Sequence, residues 1–256
     1  MENKKINYNL LILSDLMNVC EKISEIRPVV LFGSLLGIIR DGDLISWNND
    51  IELGVSQFEW NETEIEKVCN RMRSKGYIVN YYRLNKAISI RTNNNFGEVH
   101  INYFKELNGY CYRPLEPSNL KFTNLFSFVF YFTAILLSAD LDKRNNHNIK
   151  KLFYYMNCVI PEKVRKIISR YIINTSLFFT SRKGTYEFPF QLYELKDSDL
   201  HGIKIFIPRK SKLVVQDIYG KEWRTPIVDW SYYDPKNAHL TKVKKLIDKW
   251  DYKYLK

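Results

Sequence analysis

Cysteine is scarce in this chain. Its four cysteines, Cys20, Cys69, Cys111 and Cys158, form no Cys-x-x-Cys pair. That spacing excludes a zinc knuckle or a thiol redox motif and suits reduced thiols. No secretory leader is expected either: Lys4 and Lys5 precede the apolar residues 10–13, but Asp15 interrupts the run and no small-residue cleavage site follows. The chain is therefore expected in the cytoplasm. Long uncharged runs are few. Residues 122–139 carry no charge, yet Thr123, Asn124, Ser127, Thr133 and Ser138 make them too polar for a membrane span, so a buried or interfacial helix is expected. Internal repeats and low-complexity linkers are absent. Acidic residues are outnumbered: 28 Asp and Glu against 39 Lys and Arg leave a formal charge of +11. That balance favours an acidic partner, whether nucleotide, nucleic acid, anionic glycan or anionic membrane, without choosing among them.

With 256 residues the chain can bury a sizeable core. An amphipathic helix is expected over 8–26, where Leu13, Leu16, Met17, Cys20 and Ile23 share one face. The apolar Val29-Val30-Leu31-Phe32 reads as a buried strand that breaks at Gly33-Ser34 into a short helix over 35–39. Asp41-Gly42-Asp43 is a turn, and a second strand covers 50–55. Next come a helix capped by Thr63 and running to Gly76, and strands at 77–82, 87–91, 98–104 and 110–113. Residues 161–183 form a basic, apolar-striped segment, which reads equally as a solvated helix face or a membrane-surface helix. Strand character returns over 184–207, followed by a short helix over 213–218. The pattern predicts a mixed α/β (α+β) fold. Three parts are expected: a catalytic core at 1–115, a mainly helical, aromatic and basic segment at 116–183, and a part at 184–256 that packs back on the core and ends in a basic helix.

The chemistry concentrates between Leu31 and Val55. Side chains alternate along a strand, so Asp50 and Glu52 project from one face while Ile51 and Leu53 enter the core. Two carboxylates held this way suit a hard divalent cation. Backbone amides at the Gly33-Ser34 turn and the following helix start suit a phosphate, and Ser34 adds a hydroxyl.

The segments Gly33-Ser34-Leu35-Leu36-Gly37, Arg40, Trp47, Asp50-Ile51-Glu52 and Tyr219-Gly220-x-x-Trp223-Arg224-x-Pro226, in that order, resemble the LicD/fukutin-related family of transferases. The resemblance implies a nucleotidyltransferase-like mixed sheet flanked by helices, with a helical insertion in the second half. It also implies Mg2+-dependent transfer, with Mn2+ as the alternative ion. The group transferred would be a phospho-alcohol such as phosphocholine, ribitol phosphate or glycerol phosphate. It would pass from a CDP-linked donor to a hydroxyl of a glycan acceptor, such as a cell-surface polysaccharide, lipooligosaccharide or teichoic-acid-like polymer, with release of CMP. On this reading Asp50 and Glu52 hold the metal and Gly33 and Ser34 cradle the phosphates. Arg40 and Arg224 are candidates for phosphate contacts, and Trp47 and Tyr219 for pocket walls.

Two departures stand out. The family's Trp-Asp-Asp-Asp-Ile-Asp reads Trp47-Asn48-Asn49-Asp50-Ile51-Glu52 here, and its later His-Val-Asp-Leu-Trp reads His100-Ile101-Asn102-Tyr103-Phe104. Asn102 remains a candidate site residue that can coordinate or orient, but it is neither an anionic ligand nor a general base. On a regular strand Glu98 and His100 share its face and are the candidates to compensate, His100 as proton acceptor. Alternative readings are a nucleotidyltransferase acting on a polynucleotide, although no RNA-binding module is recognisable and no nucleic acid partner is expected. A catalytically inactive homologue or membrane-associated scaffold in surface-polymer assembly is another. Because acceptors in such pathways are often lipid-linked, peripheral contact with the inner, anionic face of a membrane is also expected.

Overall fold

The computed structural model describes residues 2–228 apart from 24, 95, 108, 114–119, 123, 179, 183–187 and 190–193. The expected terminal helix at 239–256 lies outside the described residues. The fold is α/β, with a mixed sheet at its centre.

Helix α1 (Glu2–Ile23) begins earlier than its apolar periodicity suggests, because the periodicity marks only the buried stretch. Leu13, Leu16, Met17 and Cys20 are buried. The two-residue strand β1 (Val29–Val30) leads into α2 (Phe32–Arg40), and β2 (Ile51–Ser56) follows. Helix α3 (Glu62–Ser74) is capped by Asn61 rather than Thr63: the Asn61 side chain accepts from the backbone N–H of Thr63 and Glu64. Asparagine is an equally good cap, and here it stands two residues earlier. Strands β3 (Ile78–Tyr82), β4 (Ala87–Arg91), β5 (Glu98–Leu107) and β6 (Tyr110–Tyr112) succeed one another. Beyond β7 (Leu120–Phe122) come α4 (Leu125–Ser138), α5 (Asn148–Val159) and α6 (Glu162–Phe178), then β8 (Thr180–Arg182), β9 (Phe188–Pro189), β10 (Leu195–Leu200), β11 (Ile203–Pro208) and α7 (Ser211–Tyr219).

The main sheet runs β10-β11-β1-β2-β5-β4-β3, with β1–β11 and β2–β5 parallel and the other neighbours antiparallel. The late hairpin β10–β11 thus extends the sheet formed by the first hundred residues. Short β1 is completed by pairing on both sides, Val29 with Phe206 and with Gly54.

Alternation along the strands sorts the two faces. Ile51, Leu53 and Val55 of β2, Val99 and Ile101 of β5, and Ile88 and Ile90 of β4 join Ile12, Leu13, Leu16, Ile65, Val68 and Met72 of α1 and α3 in one core. The opposite face carries Glu52, Glu98, His100, Asn102, Ser89, Arg91 and Asn80. The free edge of β3 is closed by 140–142: Tyr81 and Asp140 form a bridge, and Val79 N–H donates to Asp142. Buried Asn80 and Asn145 hydrogen-bond through both side chains, and Arg91 Nη2 donates to Asn145 Oδ1 at 2.9 Å.

No helix among the described residues is long and apolar enough to cross a membrane.

Candidate active site

The site lies where the start of α2 meets the start of β2. Leu31 N–H donates to Glu52 O at 3.0 Å, and Glu52 N–H donates to Ser34 Oγ at 3.2 Å. Both backbone groups of Glu52 are therefore committed to the entry of α2, which fixes the start of β2 against the first turn of that helix. Gly33 and Ser34 sit inside this turn rather than before it, since α2 already begins at Phe32. Ser34 is fully buried, so its hydroxyl holds strand against helix, while Gly33 is partly exposed with Asn48 next to it. Phe32 has φ +51, a left-handed conformation that costs a residue with a Cβ about 1–3 kcal/mol and is sustained only by its surroundings. Its ring is held by Phe104, centroids 6.0 Å apart, and by the Arg113 guanidinium at 5.0 Å.

Close packing fixes the same corner. A Cβ at Gly54 would stand 2.5 Å from Leu31 Cδ1 and 2.8 Å from Phe104 Cε2, so only glycine lets β2 pass under these side chains. At Gly37 the obstacle is backbone, Asp43 O at 2.5 Å, which brings the 43–45 loop onto α2. His201 Nε2 lies 2.8 Å from Asp43 Oδ1, tying that loop to the β10–β11 turn.

Register gathers the polar groups. Glu52 is opposite His100 on β5, His100 opposite Ser89 on β4, and Glu98 opposite Arg91. His100 Nε2 stands 3.4 Å from Glu98 Oε1 and 3.6 Å from Asp50 Oδ2. Ser89 Oγ donates to Glu98 Oε1 at 2.8 Å, and Arg91 Nε is 3.8 Å from the same oxygen. Burial opposes the charge of Glu98, but the hydrogen bond and charge of His100, the Ser89 hydroxyl and Arg91 outweigh it and hold the carboxyl down at about 2. Burial likewise opposes the imidazolium of His100, yet the Glu98 hydrogen bond and the charges of Glu98, Asp50 and Glu52 raise its pKa. The cluster is acidic, with one titratable cation inside it.

Residues 25–151 match the family model described as LicD/FKTN/FKRP, nucleotidyltransferase domain. This segment is a LicD-family domain. No curated protein matches the chain. LicD-family proteins are in general transferases of phospho-alcohol groups in glycan synthesis, and the matched segment contains the whole α2–β2–β5 corner, from Gly33 to Asn102. It ends before β10 and β11, which nonetheless extend the sheet of the LicD domain.

Of the residues singled out from sequence, the structure brings Gly33, Ser34, Asp50, Glu52 and His100 to this corner. Asn102 lies on the same face two residues along β5, opposite Gly54 and Ala87, and among the described residues its amide makes no hydrogen bond. Arg40 forms a two-pronged pair with Asp41, at 2.8 and 2.7 Å, with its guanidinium 6.0 Å from the Trp47 ring. That pair and the charge it carries raise the Arg40 pKa. Tyr219, at the end of α7, packs on the core beside α2, whereas Arg224 lies over the buried Trp223 ring at 4.4 Å and does not join the Asp50–His100 group. Ser89 and Arg91 were not visible beforehand: their β4 alternation was legible, but only pairing with β5 places them against Glu98.

No three His, Cys, Asp or Glu side chains among the described residues are arranged to hold a metal. A magnesium ion does not require such a cage, because one or two carboxylates suffice when substrate phosphates and waters complete the shell. Asp50 and Glu52 are an oxygen-donor pair of that kind, so the residues present fit the ion.

Proposed function

We propose that this protein transfers a phospho-alcohol group from a CDP-linked donor to a glycan hydroxyl, with magnesium as its cofactor. The observation that carries the reading is the locking of Glu52, through both its backbone groups, to the first turn of α2 in a LicD-family domain, with the carboxylate of Asp50, just before β2, 3.6 Å from His100, the residue opposite Glu52. Oxygen donors for a cation and helix-start amides for a phosphate thereby lie side by side. Asp50 and Glu52 hold the ion. When bound, it supplies charge neutralisation on the attacking and leaving oxygens. The amides around Gly33 receive donor phosphate oxygens, and Ser34 keeps that turn against β2. The acceptor hydroxyl oxygen bonds to the phosphorus bearing the alcohol, the pyrophosphate bond to CMP breaks, and the hydroxyl proton passes to a nearby base. His100, in contact with Asp50, is the candidate acceptor of that proton. Arg40 and Trp47 flank the approach from the end of α2, and Tyr219 and Arg224 are further candidates for donor contact.

The test is a screen of CDP-choline, CDP-ribitol and CDP-glycerol for magnesium-dependent thermal stabilisation, followed by a transfer assay with the donor that binds. A donor bound at a hundred times its Kd raises stability by about 2.7 kcal/mol. Asp50→Asn should remove the magnesium-dependent shift and the transfer while the ligand-free melting temperature stays unchanged. Retention of both would sink the assignment. A second reading, an inactive homologue, draws on the uncharged Asn102, and a chain that binds no CDP-alcohol under these conditions would favour it.

A further inference from the structure

Helix α6 is built inside out, and its neighbours α4 and α5 also turn apolar stripes outward. On α6 the row turned toward α4 is Arg165, Ser169, Ile173 and Ser176, all buried, and three of the four are polar. Arg165 donates to the carbonyls of Ile160 and Leu137, each at 3.1 Å, and Ser176 Oγ donates to Ser127 O. These bonds leave the helix no freedom to roll. What it turns outward is apolar: Val164, Ile167, Ile168 and Tyr171, spaced i, i+3, i+4 and i+7, with Ile167 at 67% and Tyr171 at 76% exposure.

The neighbouring helices share the outward apolar face, although Tyr131, Ala134, Ile135 and Leu137 of α4 and Phe153 of α5 are buried as well. Along α5, Ile149, Leu152, Tyr155, Met156 and Val159 are exposed at helical spacing. The first two turns of α4 expose Leu125, Phe126, Phe128, Val129, Phe130 and Phe132, while Ser127 and Ser138 of the same helix are buried. Small residues at the helix contact with large apolar ones facing outward are the arrangement of helices whose surroundings are apolar. In water such a surface costs free energy, and contiguous apolar patches of this extent mark interaction sites.

We infer that the α4–α6 unit docks on the surface of an anionic lipid bilayer, its apolar stripes seated at the boundary between headgroups and acyl chains. Charge selects this occupant. Residues 125–178 contain eight Lys or Arg and three Asp or Glu, and on α6 a cationic row, Lys163, Lys166 and Arg170, runs along the flank of the apolar stripe. A second copy of the chain docked face to face would bring identical cationic rows together, whereas anionic headgroups complement them. Since no described helix can cross a bilayer, the unit lies on the surface. The inference goes beyond the proposed transfer chemistry and stands without it.

The experiment is flotation of the full chain with vesicles of phosphatidylglycerol mixed with phosphatidylcholine, against phosphatidylcholine alone, with sedimentation to follow self-association. Wild type is expected to float on the mixed vesicles and only weakly on phosphatidylcholine. Ile167→Asp combined with Tyr171→Asp places two charges on exposed positions and should lower partition by at least roughly tenfold with the melting temperature unchanged. Lys163→Gln, Lys166→Gln and Arg170→Gln together should lower it by roughly a hundredfold on the mixed vesicles. Absence of flotation by wild type, equal flotation on both vesicle types, or undiminished flotation of the Asp variant overturns the inference. So does a dimer that the Asp substitutions dissolve while vesicles bind nothing.

Discussion

Glu98 is the residue on which the electrostatics of the corner turn, although it is not one of the proposed metal ligands. Its carboxyl titrates at about 2 against a usual 4.5, so its ionised form stabilises the fold above pH 4.5, and that contribution fades as pH falls from 4.5 towards 2. Glu98→Gln should therefore flatten the acid limb of a plot of melting temperature against pH; an unchanged limb would show that Glu98 carries no such linkage. Ser34 acts through hydrogen bonding instead. Ser34→Ala strips the Glu52 N–H of its acceptor in a buried place and should cost about 1–3 kcal/mol in denaturant unfolding. Gly54→Ala forces a Cβ to within 2.5 Å of Leu31 and should cost about 1–3 kcal/mol by overpacking. Because Leu31 also bonds to Glu52, that change should depress transfer as well as stability.

At the scale of elements, the sheet is finished by pieces that are not strands of its main path. Residues 140–145 close the edge of β3 through Asn80, Asp142 and Asn145, and Asn145 also satisfies Arg91, whose neighbour is Glu98. Asn145→Ala would orphan buried groups on both Asn80 and Arg91. The expected loss is about 2–4 kcal/mol by chemical denaturation, larger than that of a single surface cap. Asn61→Ala, which removes only the α3 cap, should cost about 1 kcal/mol by the same measurement, so the pair calibrates the two kinds of contact.

At the scale of the molecule, the LicD-family match ends at residue 151 while the sheet does not. β1, only two residues long, pairs with β11 on one side and β2 on the other, and Leu31 directly after it orders Glu52. A chain cut before Leu195 should therefore lose cooperative thermal unfolding, even though every residue of the proposed metal pair is retained. A sharp, wild-type-like transition for that truncation would contradict this dependence.

Alternation and apolar periodicity are local properties, so the sequence alone placed Asp50 and Glu52 on one face, put Glu98, His100 and Asn102 on another strand's shared face, and outlined most helices and strands within a few residues. The capping error at Thr63 against Asn61 is of that local kind too, since both residues cap well. What no local pattern carries is register. Which residue of β4 meets Glu98, which strand lies beside β1, and that Ser34 faces the Glu52 amide all depend on contacts between segments up to 177 residues apart, as Val29 and Phe206 are. The inside-out helix α6 is the same lesson in reverse. Its apolar stripe was legible, but only the buried Arg165 and serines, held by hydrogen bonds across α4 and α6, decided that the stripe faces away from the protein.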